Sequence, residues 1–121
     1  MDYYDLDVWK KSRELANMAY SISKVFPKEE LFGLTSQLRR SAVSIPSNIA
    51  EGCGRNTPKD TLQFLFIARG SLFELETQTL LSLDQKYISK ESSEKMLAEI
   101  TECKKLLNGF IKYFQTLKPK P

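Results

Sequence analysis

Apolar residues recur at helical spacing in four consecutive stretches, and no stretch alternates in the manner of a strand. From about Asp5 to Phe26, the residues Val8, Leu15, Ala16, Ala19, Ile22 and Phe26 share one face. Asp5 and Asp7 complement the positive end of that helix's dipole, and Pro27 stops it. A second stripe, from Glu29 or Gly33 to Cys53, carries Leu34, Leu38, Ala42, Ile45 and Ile49. Pro46 interrupts it; because proline lacks an N–H and crowds the preceding turn, a kink near residues 42–46, or a break into two pieces, is predicted. Gly52 and Gly54 end the helix.

Thr57-Pro58-Lys59-Asp60 has the composition of a helix start, a capping threonine followed by a proline pre-set for the first turn. The third helix is expected to run to about Asp84 with apolar residues on two sides. Leu62, Leu65, Phe66, Leu72, Phe73, Leu80 and Leu83 are assigned to the core, and Phe64, Ile67, Ala68 and Leu75 to the opposite face. That second face needs a covering surface, for which another copy of the chain is the leading candidate and a central position within a monomer the alternative. Ser89 caps a fourth helix reaching about Leu117, with Met96, Ile100, Cys103, Leu107, Phe110, Ile111 and Phe114 inward. Short connections favour antiparallel neighbours, so the expected fold is all-α: one up-and-down antiparallel four-helix bundle, kinked at Pro46, over residues 1–121.

Composition narrows what such a bundle does. With no histidine among 121 residues, the usual neutral-pH base and the commonest transition-metal ligand are both missing. Two cysteines do not close a structural zinc site, and no glycine pattern matches a phosphate-binding loop. No cofactor, metal or enzymatic activity is expected. Cys53 and Cys103 are read as free thiols; the opening residues show no secretory or lipidation pattern, and no apolar run is long enough to span a bilayer, so a cytoplasmic protein is expected. Asn48, Glu51, Arg69, Glu74 and Glu76 lie within apolar helices and are read as structural pairs in preference to a catalytic carboxylate pair.

The net charge of +3 is mild, yet the basic residues cluster. Lys104, Lys105, Lys112, Lys118 and Lys120 follow Glu102 with no further acid, and Arg39, Arg40, Arg55 and Lys59 bracket the second helix and the loop after it. Arg39, Arg40, Arg55, Lys59, Lys104, Lys105, Lys112 and Lys118 are therefore candidates for contacting phosphates, against the alternative that they solubilise the surface and complement helix dipoles. The loop from Gly52 to Thr57, ahead of a helix N-terminus, reads as an ordinary connector before an anion site.

The run Leu38-Arg39-Arg40-Ser41-Ala42-Val43-Ser44-Ile45-Pro46-Ser47-Asn48-Ile49-Ala50-Glu51-Gly52 resembles the signature of the bacterial four-helix-bundle family encoded in intervening sequences of 23S ribosomal RNA genes. That family is similar to accessory variability proteins of diversity-generating retroelements. The resemblance continues from Phe64 to Gln78 and includes the opening Leu6-Asp7-Val8-Trp9-Lys10. It implies a ring-shaped homopentamer and, in the retroelement branch, binding to RNA or DNA and to a reverse transcriptase. The leading expectation is thus a homo-oligomeric nucleic-acid-binding accessory protein; the alternatives are a protein-interaction scaffold and, last, a carboxylate-dependent enzyme.

Overall fold

Each of the four apolar stripes is a helix in the computed structural model, which describes residues 2–117. The helices are α1 (Asp7–Ser23), α2 (Leu34–Cys53), α3 (Pro58–Asp84) and α4 (Lys90–Thr116), with short 3-10 turns at Tyr3–Asp5 and Lys28–Glu30. No strand occurs among the described residues. The two predicted caps form: Thr57 Oγ1 accepts from the Asp60 N–H at 3.2 Å, and Ser89 Oγ from the Ser92 N–H at 3.0 Å. Each cap satisfies a backbone donor that the helix itself leaves open.

Sequential neighbours pack together, and α4 closes the bundle against α1. The α1–α2 and α3–α4 connections meet at one end, where the Tyr87 hydroxyl donates to Glu30 Oε2 at 2.8 Å and the Phe26 and Tyr87 rings pack in a tilted contact with centres 5.4 Å apart. The α2–α3 turn therefore lies at the other end, as an up-and-down order requires. Leu15 from α1, Leu38, Ile45 and Ile49 from α2, Leu65, Leu72 and Leu75 from α3, and Met96, Ile100 and Leu107 from α4 are fully buried. Each such side chain stabilises the fold by about 1.5–3 kcal/mol relative to exposure.

Pro46 is accommodated within one continuous helix, so α2 does not divide into two pieces. Ile45 and Ile49, on either side of it, are locked in the core. The Asn48 amide donates to the Ser44 carbonyl oxygen at 2.8 Å and to Ser44 Oγ at 2.9 Å, one turn earlier on the same helix.

The two faces of α3 are real but differ in membership from the expected ones. Ala68 and Leu75, assigned by spacing to a subunit contact, are wholly buried in the chain's own core. Phe66, Phe73 and Leu80, assigned to the core, are instead 40%, 52% and 44% exposed. The cause is the close approach of α2. A β-carbon placed on Gly52 would stand 3.2 Å from both the Phe64 β-carbon and the Thr61 carbonyl oxygen, and the Ser71 hydroxyl donates to Ser44 Oγ at 2.9 Å. A contact that tight selects short polar residues such as Thr61 and Ser71 on the side of α3 that meets α2, while Leu65, Leu72 and Leu75 fill the core.

Candidate nucleic-acid interface

The basic residues singled out from sequence do not converge on one patch. Arg39 and Arg40 lie in the first half of α2, and Arg55 just past its end. Arg39 and Arg55 are thus about 24 Å apart along the helix direction at ~1.5 Å per residue. Four of the candidates are engaged within the chain. The Arg55 guanidinium pairs with Glu51 at 2.6 Å and covers the Phe64 ring at 4.5 Å, bracing α2 against α3. Lys104 pairs with Glu76 at 2.8 Å, half-buried, with its ammonium 4.8 Å from the Phe73 ring centre. Lys105 lies 3.4 Å from Glu102, one turn earlier on α4. Arg39 donates from Nε to Ser23 Oγ at 2.8 Å, joining α2 to the end of α1. Lys118 lies outside the described residues.

Arg40, Lys59 and Lys112 are exposed and form no salt bridge within the described residues; Arg39 likewise meets no carboxylate. Lys59, in the first turn of α3, lines a groove of about 1060 Å3 whose other walls include Leu62, Phe66 and Phe114. Arg39 and Arg40 line a second groove, of about 570 Å3, between α1 and α2. Its walls include Tyr20, Leu31, Phe32, Thr35 and Val43. The Arg39 guanidinium lies 5.0 Å from the Tyr20 ring centre, and Phe32 is 94% exposed. Tyr20 and Phe32 are the members that sequence reasoning passed over. The available signal was Phe32 itself, a large aromatic placed immediately before Gly33 and outside the periodic stripe of α2.

Of the remaining polar candidates, some pair within the chain and Glu74 does not, forming no salt bridge among the described residues. Glu51 and Glu74 are exposed, Glu76 is committed to Lys104, and Arg69 donates to Asn108 Oδ1 at 3.4 Å. No group of three or more His, Cys, Asp or Glu arranged to hold a metal occurs among the described residues. The loop ahead of α3 is a capped connector: Thr57 takes the Asp60 N–H, Pro58 offers none, and the Asp60 carboxylate already complements the dipole. Burial pushes the Cys103 thiol up to about 12, far from the range in which a thiolate forms near neutrality.

Residues 4–109 match the family described as 23S rRNA-intervening sequence protein. The chain belongs to that family. A solved structure from Bacteroides thetaiotaomicron, described as a protein with unknown function from the S23 ribosomal protein family, superimposes with a TM-score of 0.78 at 30% identity. The alignment covers 87% of this chain and 98% of that one. No curated protein matches. In this family member, the run from Leu38 to Gly52 is chiefly architectural: Ser41, Ala42, Ile45, Ile49 and Gly52 are buried. Arg40 is its one exposed charge besides Glu51, which Arg55 already neutralises. No described helix is long and apolar enough to cross a membrane.

Proposed function

We propose that this chain is a homo-oligomeric, non-catalytic nucleic-acid-binding accessory protein of the cytoplasm. The observation that carries the reading is the pair of neighbouring guanidinium groups, Arg39 and Arg40, that line one groove and form no salt bridge among the described residues, with further such cations, Lys59 and Lys112 among them, elsewhere on the surface. A neutralised lysine contributes little to a polyanion, because its own carboxylate must be displaced first; a free guanidinium releases counterions from phosphate directly. The family description and that of the structural neighbour both name a ribosomal setting, which favours RNA as the ligand in question. Assembly is supported by the outward apolar stripe of α3, which a second copy would cover. Five subunits and a reverse-transcriptase partner are what the resemblance to retroelement accessory proteins adds.

Binding of the purified protein to unrelated single- and double-stranded nucleic acids across a salt series tests the reading. Affinity should fall steeply and linearly on logarithmic axes, and replacing Arg40, Lys59 and Lys112 by Gln should flatten the slope by about one unit for each phosphate no longer neutralised. The same α3 stripe favours a second reading, a scaffold whose partner is a protein. Absence of binding to every nucleic acid at low salt would leave that scaffold as the function.

A further inference from the structure

The groove between α1 and α2 brings two guanidinium groups together. Among the described residues neither forms a salt bridge, whereas Lys11, Arg55, Lys90, Lys104 and Lys105 each have a carboxylate within 4 Å. It also holds flat apolar surface beside those charges. Phe32 is almost wholly in solvent, and Tyr20, itself 43% exposed, stacks with Arg39 at 5.0 Å. Val43 and Leu31 extend the apolar floor. An aromatic ring left in water beside unpaired guanidinium groups matches a ligand that is flat and apolar on its faces and anionic at its edge.

We propose that this groove seats a single-stranded nucleic-acid segment, with an unpaired base against Phe32 and the adjoining phosphates against Arg40 and Arg39. The inference rests on the nucleic-acid-binding reading above and narrows it to one site and one strand form. In a duplex the base faces are occupied by their neighbours, so an exposed Phe ring has nothing to stack on; an unpaired base supplies a free face. Arg39 is pre-set for the role, because its bond to Ser23 Oγ and its stacking on Tyr20 hold the guanidinium in place before any ligand arrives. Arg40, exposed and unpaired, supplies the free fork that bidentate phosphate recognition uses. An apolar peptide is the competing occupant of such a groove, but it would gain nothing from the guanidinium pair.

Titration of the intact protein with a short oligothymidylate and with a duplex of matched length, followed by anisotropy, decides the matter. The single strand should bind more tightly. Phe32→Ala and Phe32→Leu should each lower its affinity at least about fivefold, the smallest loss expected when a stacked base is deprived of its ring. Phe32→Trp should retain it, with the new indole quenched on titration beyond the response of Trp9. Since the Phe32 side chain is exposed, thermal melts of all three variants should match the parent. Failure of the parent to bind any nucleic acid overturns the nucleic-acid-binding reading together with this one. Binding by the parent that is unchanged in Phe32→Ala, or stronger for duplex, overturns only the groove assignment. Retention by Phe32→Leu with loss in Phe32→Ala would indicate apolar packing, as a peptide would make, and also overturns it.

Discussion

Cys103 lies on the inner face of α4 with no exposed surface, and its thiol is raised from 9.0 to about 12, first by burial and then by the nearby Glu99, with Lys11 acting in the opposite sense. Such a group makes stability depend on pH. In the unfolded chain the thiol ionises near its ordinary value, while in the folded chain it stays protonated until the pH is much higher. The folded state therefore holds more protons through the window between about 9 and 12, and stability falls as pH rises across it. Cys103→Val removes the ionisation while keeping similar volume, so its loss of stability above pH about 9 should be shallower than the parent's. Urea midpoints measured from neutral to alkaline pH check this, and parallel curves for the two proteins would show that the thiol is not responsible. Lys86 is a different single-residue feature. It is the one non-glycine residue at positive φ among the described residues, at 63°, and it ends α3 with the Tyr87 N–H bonded to the Ser82 carbonyl and its own N–H to that of Leu83. A lysine in place of the customary glycine carries no signal of such a turn.

Helix boundaries were legible because their causes are local. The Thr57-Pro58 start and the Ser89 start can be read from neighbouring residues alone, and both caps form as expected. Assigning the two faces of α3 required a different kind of information. Phe66, Phe73 and Leu80 lie two turns apart along one line, and their bulk reads as core. The inner line of Leu65, Ala68, Leu72, Leu75 and Thr79 is decided instead by how near α2 comes, a tertiary quantity that spacing does not carry. The same limit hid the α1–α2 groove, since Tyr20, Phe32 and Arg39 meet only after two helices pack. For α3 the consequence is testable at the level of the element. Ile67 and Leu80, on different outward sides of α3, are 52% and 44% exposed, so Ile67→Glu or Leu80→Glu should leave the helical spectrum unchanged while lowering the mass seen by light scattering at whichever side is the contact. Ala68→Glu should behave oppositely, destabilising the single chain by roughly 3 kcal/mol or more, because it buries an unpaired charge. Equal masses for the parent and both outward variants would show that neither outward side of α3 is a subunit contact.

At the scale of the whole molecule, the cations that form no salt bridge among the described residues are dispersed, with Arg39 and Arg40 in the first half of α2, Lys59 and Lys112 on α3 and α4, and others such as Lys10, Lys24 and Lys95 elsewhere. A few phosphate contacts give weak binding, and the fixed separation between them leaves a short oligonucleotide able to engage only one site at a time. The proposed assembly changes this arithmetic without any new contact. Repeating the α1–α2 groove around an oligomer makes each further engagement of a long strand intramolecular, which raises overall affinity by about 100-fold or more where the strand can span the sites. The outward residues Phe66 and Phe73 of α3 adjoin Phe114 and Lys104 of α4, and no α3 residue lines the α1–α2 groove, so a second copy covering them leaves that groove open. Strand length and assembly should then be coupled. The parent should bind long single strands far more tightly than short ones, whereas Leu80→Glu should bind short strands as the parent does and lose most of the gain with length. Affinity measured for a series of homopolymer lengths, in both proteins at one salt concentration, reads this directly. A length dependence that survives in a monomeric Leu80→Glu protein would mean that one chain already spans the strand, and that assembly through α3 serves some purpose other than avidity.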